Sequence, residues 1–227
     1  MSLKGKVIYV TGGSKGIGKG IADACLAQGM KVAIGARSIE SIPSNENVLA
    51  IRSDVKNKLD EENAIQTILD TWGRLDVLIA NAGVGHFAPI DQMNEDQWHD
   101  IIDTNLTGVF HSVKAAIPAL KNSQGYIITI ASLAGTNFFA NGAAYNASKF
   151  GLVGFTQAMM LDLRPFKIKV STIMPGSVAT YFNNHEPSDQ DAWKIQPEDL
   201  GQMVIDLLNM NPRTLPSKIE VRPSQTS

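Results

Sequence analysis

A glycine-rich turn near the amino terminus constrains the fold more than any other feature of this sequence. The apolar run at 7–10 predicts a buried strand, residues 11–18 are Thr-Gly-Gly-Ser-Lys-Gly-Ile-Gly, and the apolar positions in 17–27 recur with a helical period. Glycine permits positive φ angles and close approach of the backbone to a ligand, and the N-terminus of a helix attracts an anion. This order of strand, turn and helix favours a dinucleotide-binding βαβ unit over a purely structural turn.

Beyond this turn, short β-branched runs alternate with segments of helical period. The predicted strands are 7–10, 32–34, 48–51, 77–79, 127–130 and 170–173, with a short last strand at 219–221. The predicted helices are 17–27, 61–72, 95–120, 143–163 and 198–208, and 43–47 is too short to hold a helix between the second and third strands. The alternation predicts an α/β fold, a three-layer doubly wound parallel sheet of the Rossmann type. With 227 residues and no repeat or linker, a single domain over 1–227 is predicted.

Composition and charge exclude several classes of function. The formal net charge of −2 at pH 7 gives no bulk attraction to nucleic acid or to an anionic membrane. The one cysteine, Cys25, excludes an internal disulfide, and its apolar surroundings predict a packed helix residue rather than a catalytic thiol. The sequence has no ligand cluster at metal spacing, no signal peptide and no apolar stretch of ~20 residues. We therefore expect no metal, no membrane association and a cytoplasmic location.

The end of the second predicted strand indicates which dinucleotide the turn binds. In such folds a residue about 20 positions after the glycines meets the adenosine ribose, and a carboxylate there favours NAD. Residues 35–38 are Gly-Ala-Arg-Ser, with a guanidinium and no carboxylate. Arg37 is able to pair with a 2′-phosphate and Lys15 supplies a second cation; the alternative is that both are solvated surface charges. The pattern favours NADP(H), by roughly 10- to 100-fold.

Several further motifs occur in the order that is typical of one enzyme family. They are Thr-Gly-x-x-x-Gly-x-Gly at 11–18, Asn-Ala-Gly at 81–83, Asn105, Ser132, Tyr145-x-x-x-Lys149 and Pro175-Gly176. On these residues the chain resembles the short-chain dehydrogenases/reductases from about residue 4 to residue 180, and more loosely beyond. In overall style it is similar to the 3-oxoacyl-(acyl-carrier-protein) reductases and related carbonyl reductases. The resemblance implies an NADPH-dependent oxidoreductase that reduces a carbonyl to an alcohol.

Four residues form the catalytic group that the resemblance implies: Asn105, Ser132, Tyr145 and Lys149. Carbonyl reduction needs a proton for the oxygen, and tyrosine supplies it once its pKa of ~10 falls toward neutrality. Lys149 follows Tyr145 by one helical turn on the same face, so its ammonium is expected to favour the phenolate. Ser132 is expected to hydrogen-bond the substrate oxygen, and the region of Asn105 is implied to hold a water that links Lys149 to solvent.

The resemblance also implies cofactor-binding residues on the loops that follow the strands. They are Gly12, Ser14, Lys15, Gly16, Ile17, Gly18, Arg37, Asp54, Val55, Asn81, Ala82, Gly83, Tyr145, Lys149, Pro175, Gly176, Val178 and Thr180. Asp54 and Val55 resemble the pair that contacts the adenine, 81–83 the segment beside the adenosine ribose, and 175–178 the loop against the nicotinamide carboxamide. Without the resemblance, Asp54 is equally a helix cap and Asn81 equally a turn residue.

The sequence defines the substrate side less well. The predicted substrate lid, about 177–197, contains Tyr181, Phe182 and Trp193, which either line a pocket or pack on the core. The tail at 219–225 lacks the glycine-rich ending that is common in tetrameric acyl-carrier-protein reductases. That difference weakens both the acyl-carrier assignment and a tetramer. A small carbonyl or alcohol molecule of unspecified identity is the expected substrate.

The sequence also bears on the roles of the four histidines, on the oligomeric state and on alternative functions. His86 and His185 are candidates to face the substrate, whereas a structural role is expected for the other two histidines. The helices that contain Asn105 and Tyr145 resemble the family's usual dimer surface, which implies a homodimer or a homotetramer. The main rival is an NADP(H)-binding sensor or regulatory protein on the same fold. An epimerase or dehydratase, and an enzyme that works toward alcohol oxidation, are nearer rivals.

Overall fold

Seven strands form one parallel sheet in the computed structural model of the protein, which describes residues 2–225. In chain order they are β1 Val7–Thr11, β2 Lys31–Ala36, β3 Val48–Arg52, β4 Val77–Ala80, β5 Tyr126–Ile130, β6 Lys169–Pro175 and β7 Lys218–Val221. Their order across the sheet is β3-β2-β1-β4-β5-β6-β7, and every neighbouring pair is parallel. The predicted doubly wound parallel sheet is confirmed. Of the predicted domain, residues 1, 226 and 227 lie outside the described residues.

Six α-helices connect or follow these strands. They are α1 Gly16–Ala27, α2 Lys58–Trp72, α3 Glu95–Ile102, α4 Gly108–Ser123, α5 Ala143–Leu163 and α6 Pro197–Asn209. Short 3-10 turns lie at Leu133–Gly135, Arg164–Phe166, Phe182–Asn184 and Asp189–Asp191. The Asn57 side chain caps α2 by accepting from the N–H of Leu59, and Asn94 forms a capping box with Gln97 at the start of α3. Within the described residues, no helix is long and apolar enough to cross a membrane.

The prediction of one continuous helix over 95–120 is wrong. A π-helical segment, Asp103–Thr107, separates α3 from α4 and contains Asn105. The Asn105 amide donates to the Val84 carbonyl (2.9 Å) and to the Ser148 hydroxyl (3.1 Å), and its oxygen accepts from the Val84 N–H (2.8 Å). Apolar periodicity does not distinguish an i+4 from an i+5 ladder over one turn, and the altered ladder turns Asn105 toward these partners.

Apolar side chains fill both faces of the sheet. Because successive strand residues point to opposite faces, Ile8 and Val10 pack with α1 and α6, whereas Val7 and Tyr9 pack with α2, α4 and α5. Cys25 is buried in the first of these cores, as predicted, and burial raises the pKa of its thiol to about 12. The three layers leave the carboxyl ends of the strands as one open edge.

The topology directs ligands to this edge. The central neighbours β1 and β4 are followed by helices on opposite faces, α1 on one and α4 on the other. Such a reversal opens a crevice beyond the carboxyl ends of the strands. The predicted lid, 177–197, borders this crevice, and its ends are tied together by a parallel bridge between Val178 and Ile195. The glycine turn, the loops after β4 and β5 and the lid therefore meet around one cleft.

Candidate active site

A cleft of about 710 Å³ lies at the carboxyl edge of the sheet. Most of the residues predicted for the site line it: Gly12, Ser14, Lys15, Gly16, Ile17, Arg37, Asp54, Val55, Asn81, Ala82, Gly83, Ser132, Tyr145, Lys149, Pro175, Gly176, Val178 and Thr180. Gly18 and Asn105 are the two predicted residues that stand behind its wall. A Cβ at Gly18 would lie 2.5 Å from the Gly12 carbonyl oxygen, and Asn105 is fully buried. The sequence motifs thus converge on one concave site.

The glycine turn has the conformation that a phosphate-binding loop requires. Gly12 has a φ of +64°, and a Cβ there would lie 2.8 Å from the Cα of Ala82. Gly16, at a φ of +55°, opens α1, and the first turn of α1 carries no acidic side chain. Lys15, the N-cap residue, makes no capping bond with its own side chain. The N–H groups at the start of α1 therefore face the cleft without a local anion, which fits a dinucleotide pyrophosphate.

Two cations stand at the same end of the cleft. Lys15 and Arg37 are both exposed, and within residues 2–225 neither has a carboxylate at salt-bridge distance. The nearby Arg52 guanidinium instead pairs with Glu40 and donates to the Arg37 carbonyl. Lys15 and Arg37 are thus available to a phosphate group.

The contacts of Asp54 and Asn81 bear on whether each residue has a structural role, as a helix cap or a turn residue, or a place in the cofactor site. Asp54 accepts from the N–H of Lys56 at 3.0 Å, so it orders its own loop, and Asn57 rather than Asp54 caps α2. The Asn81 amide donates to the carbonyls of Thr11 (2.9 Å) and Gly12 (3.1 Å). Asn81 therefore ties the end of β4 to the glycine turn while it lines the cleft.

Tyr145 and Lys149 lie one turn apart at the start of α5. The Lys149 ammonium is 5.7 Å from the centre of the Tyr145 ring and donates to the Ile130 carbonyl at 3.1 Å. Ser132 follows β5 and accepts from the N–H of Ala134, which fixes its side chain at the same wall. The end of β5 and the first turn of α5 thus bring two hydroxyls and one ammonium together.

Burial sets the protonation of Tyr145 and Lys149 in the chain alone. Burial raises the pKa of Tyr145 to about 12, and a hydrogen-bonding contact with the Ser132 hydroxyl offsets part of that rise. Burial also lowers the pKa of Lys149 to about 8. Burial withdraws both groups from water in the chain alone, so a lowered pKa of Tyr145 next to Lys149 and an oxidised nicotinamide stays a prediction for the cofactor complex. At neutral pH the Tyr145 hydroxyl keeps its proton.

Both candidate histidines line the cleft, each with an acidic partner that the sequence did not reveal. The His86 ring nitrogen Nε2 lies 2.9 Å from Asp100, and that of His185 lies 2.6 Å from Asp191. Asp191 is buried, and the His185 and Lys194 side chains that bind it hold its pKa well below the usual range. These pairs join different elements or lie in irregular turns of the lid, so no fixed sequence spacing predicts them.

The other predicted lid aromatics and histidines lie in different places, some in the cleft wall and some outside it. Tyr181 and Phe182 line the cleft, whereas Trp193 does not belong to its wall. His111 contacts the Val55 carbonyl at 3.0 Å, and His99 is exposed on α3. The lid thus contributes aromatic side chains to the cleft through its first half.

The fold and this cleft define a dinucleotide-binding α/β protein of the Rossmann type. The sequence profile of the family described as short chain dehydrogenase matches residues 6–191. The chain therefore belongs to the short-chain dehydrogenase family. It is an oxidoreductase of the kind that acts on small molecules with a nicotinamide cofactor.

Similar proteins cover almost the whole chain. A 3-oxoacyl-(acyl-carrier-protein) reductase of Salmonella typhimurium is 36% identical over 210 residues, which are 89% of this chain and 86% of that protein. A metagenomic short-chain oxidoreductase solved in complex with NADP is 33% identical, with a TM-score of 0.86 and 100% of both chains covered. A 3-ketoacyl-(acyl-carrier-protein) reductase from Brucella melitensis, complexed with NADH, is 26% identical, with a TM-score of 0.90 over 98% of this chain and 99% of that one.

Proposed function

We propose that the protein is an NADPH-dependent reductase that converts the carbonyl group of a small molecule into an alcohol. The observation that carries this proposal is the convergence of Ser132, Tyr145 and Lys149 on the wall of the cleft that the glycine turn opens. Two hydroxyls and an ammonium at one point supply a proton and stabilise negative charge on a carbonyl oxygen. The proton and the stabilisation of negative charge are the two contributions that the protein must make to this reaction.

Each residue of the proposed catalytic group has a separate task. Tyr145, protonated at neutral pH because of its raised pKa, donates its proton to the carbonyl oxygen. Ser132 donates a hydrogen bond to the same oxygen as negative charge develops there. Lys149 stabilises the resulting phenolate and returns a proton, since its pKa of about 8 allows it to exchange protons near neutrality. The reduced nicotinamide supplies the hydride when it is bound.

Asn105 acts from behind this group. Its side chain is engaged by Val84 and Ser148, so it positions the loop after β4 and the helix that carries Lys149. Gly83 lies between them, because a Cβ there would be 3.3 Å from the Asn105 oxygen and 3.8 Å from the Lys149 nitrogen. We assign to Asn105 and the π-helical turn around it the far end of a proton relay from Lys149.

We further propose that the cofactor is NADP(H) rather than NAD(H). Arg37 and Lys15 are the two cations that bind the 2′-phosphate, and the segment 35–38 has no carboxylate that would repel it. The start of α1 holds the pyrophosphate, and Asp54 and Val55 contact the adenine. The relative solved in complex with NADP supports this choice, and another relative was solved in complex with NADH.

The assembly that we propose is a homodimer or a homotetramer. The faces of α4 and α5 carry exposed apolar side chains, including Phe110 at 48% and Leu161 at 58% exposure. Phe110 and Phe155 also border a second, shallow hollow between these two helices. Such a patch is typical of a surface that another copy covers. The cytoplasmic location stays a prediction.

The direct test is oxidation of NADPH and of NADH against a panel of ketones and aldehydes, with the wild type and Tyr145→Phe side by side. We expect turnover that prefers NADPH and falls by about 10²–10⁴-fold in Tyr145→Phe, because only the proton donor is removed. NADPH affinity should change little. Tight NADPH binding with no turnover of any carbonyl would contradict the reductase proposal and favour the sensor.

A further inference from the structure

Three phenylalanine rings surround Tyr145, and each comes from a different loop: Phe87 after β4, Phe139 after β5 and Phe182 in the lid. Their centroids lie 5.5, 6.4 and 5.6 Å from that of Tyr145, at interplanar angles of 76°, 57° and 56°. Phe87 also contacts Phe139 and Phe182, at 5.6 and 6.3 Å. We call these three rings the aromatic cluster. Phe87 meets Tyr145 and Phe139 edge to face, and the remaining ring pairs are tilted.

Two glycines set the positions of rings in the aromatic cluster. A Cβ at Gly85 would lie 2.5 Å from Cζ of Phe182, and one at Gly142 would lie 2.5 Å from Cε2 of Phe139. A side chain at either glycine would therefore displace a ring. Phe182 reaches from the lid to the loop after β4 and lines the cleft beside Tyr145. The backbone of two loops thus fixes rings of the cluster, of which Phe182 lines the cleft next to the proposed proton donor.

The histidines and Lys194 on this side of the cleft each have a carboxylate partner, whereas the buried Lys149 donates to the Ile130 carbonyl. His86 lies 2.9 Å from Asp100, and Asp191 binds both His185 (2.6 Å) and Lys194 (2.5 Å). Asp191 is buried, so a substrate carboxylate or phosphate would have to compete with a shielded carboxylate for Lys194. Apart from Lys149, this side of the cleft therefore offers rings and a lysine that is already paired, which disfavours an anionic substrate.

From these two observations we propose that the substrate is an uncharged carbonyl compound with an aromatic ring at the carbonyl carbon, an aryl ketone or aryl aldehyde. The inference rests on the proposed reductase function and narrows its substrate class. The substrate ring packs against Phe182, the member of the aromatic cluster that lines the cleft, while its carbonyl oxygen meets the hydroxyls of Ser132 and Tyr145.

The first experiment measures kcat/KM of the wild type with NADPH for three methyl ketones: acetophenone, cyclohexyl methyl ketone and 4-acetylbenzoate. We expect acetophenone to exceed cyclohexyl methyl ketone by about threefold to tenfold, the gain typical of one aromatic contact. We expect it to exceed 4-acetylbenzoate by about tenfold or more, because moving a carboxylate from water to a site beside an aromatic ring costs free energy. Equal values for the three ketones would overturn the inference.

A matched pair of variants tests the ring itself. Phe182→Leu removes a ring of the aromatic cluster, whereas Phe138→Leu removes one that is 83% exposed and stacks on Phe150 outside the cluster. We expect the ratio of kcat/KM for acetophenone over cyclohexyl methyl ketone to fall about threefold to tenfold in Phe182→Leu and to stay unchanged in Phe138→Leu. An unchanged ratio in Phe182→Leu would overturn the assignment.

Affinity separates a failure of this inference from a failure of the proposed function. Reduction of all three ketones at similar kcat/KM would leave the reductase intact and refute the aromatic substrate class. Reduction of none would refute the reductase, and the cluster would then be judged by calorimetric titration of acetophenone and 4-acetylbenzoate into the protein. Tighter binding of acetophenone that is weakened in Phe182→Leu supports an aromatic site; equal binding refutes it.

Discussion

The two ends of the cleft differ in how they select what binds. At the glycine turn, Lys15 and Arg37 are exposed and have no acidic partner among residues 2–225, and the start of α1 carries no side-chain cap. Around Tyr145 the two histidines lie beside carboxylates, Lys149 is buried, and Phe182 forms part of the wall. The first end has exposed cations available for an anion, whereas the second has a buried ammonium and an aromatic wall. One cleft is therefore divided into an anion-binding half and an aromatic half.

The two halves of the cleft need different amounts of the fold to be in place. The cation Lys15 lies within the glycine turn, so its position needs only one strand and one helix to form. The aromatic cluster needs the loops after β4 and β5 and the lid to come together, and Phe182 meets Gly85 only in the finished fold. Changes to the anion-binding half should alter affinity for the cofactor, whereas changes near Tyr145 should alter turnover.

Among variants of the two halves, we expect the largest loss of activity from Lys149→Met, which removes the ammonium beside Tyr145. We expect kcat to fall by about 10²–10³-fold, since the phenolate of Tyr145 loses its cation. The same variant should be more stable at pH 7. Burial lowers the pKa of Lys149 from 10.5 in the unfolded chain to about 8, so the charged form destabilises the fold below pH 8.

The sign of this stability effect is tested by its pH dependence. Between the two pKa values the unfolded chain binds more protons than the folded one, so wild-type stability from this group rises as pH increases above 8. We therefore expect Lys149→Met to exceed the wild type in unfolding free energy at pH 7, by about 3 kcal/mol at most, and the gap to narrow by pH 9.5. Urea denaturation at both pH values measures it. A gap that widens with pH would contradict the burial argument.

The next effect concerns the anion-binding half alone. Arg37→Asp should lower kcat/KM for NADPH and raise it for NADH, and shift the ratio of the two by roughly 10- to 100-fold, because a guanidinium that pairs with a phosphate becomes a carboxylate that repels it. Arg213→Asp, an exposed arginine remote from the cleft, makes the same charge change as a control and should leave the ratio unchanged. A similar shift in both variants would mean that net charge, rather than contact, sets the preference.

The sequence predicted most of the fold, because that part depends on local periodicity and caps. The predicted helix 143–163 matches α5, and each predicted strand lies within the observed one. The missed feature, the π-helical turn at Asn105, arises from bonds to Val84 and Ser148, which are distant in sequence. Tertiary hydrogen bonds of this kind leave no periodic signal.

The candidate site also combines residues that local motifs predict with residues that only the complete fold brings together. Residues carried by short motifs, such as Lys15 and Tyr145, were predicted and line the cleft. The contacts of Asp100 and Asp191 with the two histidines were not predicted, since they join different elements or lie in an irregular lid. The raised pKa of Tyr145 also escaped prediction, because it depends on burial by the complete fold.

The smallest expected effect lies beneath the anion-binding half, at the buried carboxyl of Glu61. Its oxygen Oε1 accepts from the hydroxyls of Tyr9 (3.0 Å) and Ser53, whereas Oε2 is buried without a hydrogen-bond partner in the described chain. Burial raises the pKa of Glu61 above its usual value. The protonated form is thus favoured in the folded protein, and the group's contribution to stability is lost as pH rises through that raised pKa.

Glu61→Gln keeps the shape and the acceptor for Tyr9 and Ser53 but cannot ionise. We expect it to match the wild type in unfolding free energy near pH 4.5 and to exceed it at pH 8, by about 1 kcal/mol, since only the wild type must then bury a charge or hold a proton. Glu62→Gln, an exposed neighbour paired with Lys58, is the control and should show no such divergence. If the divergence is absent in Glu61→Gln, the carboxylate is ionised and solvated by other means, and the anion-binding half then has a negative charge beneath it that would weaken phosphate binding.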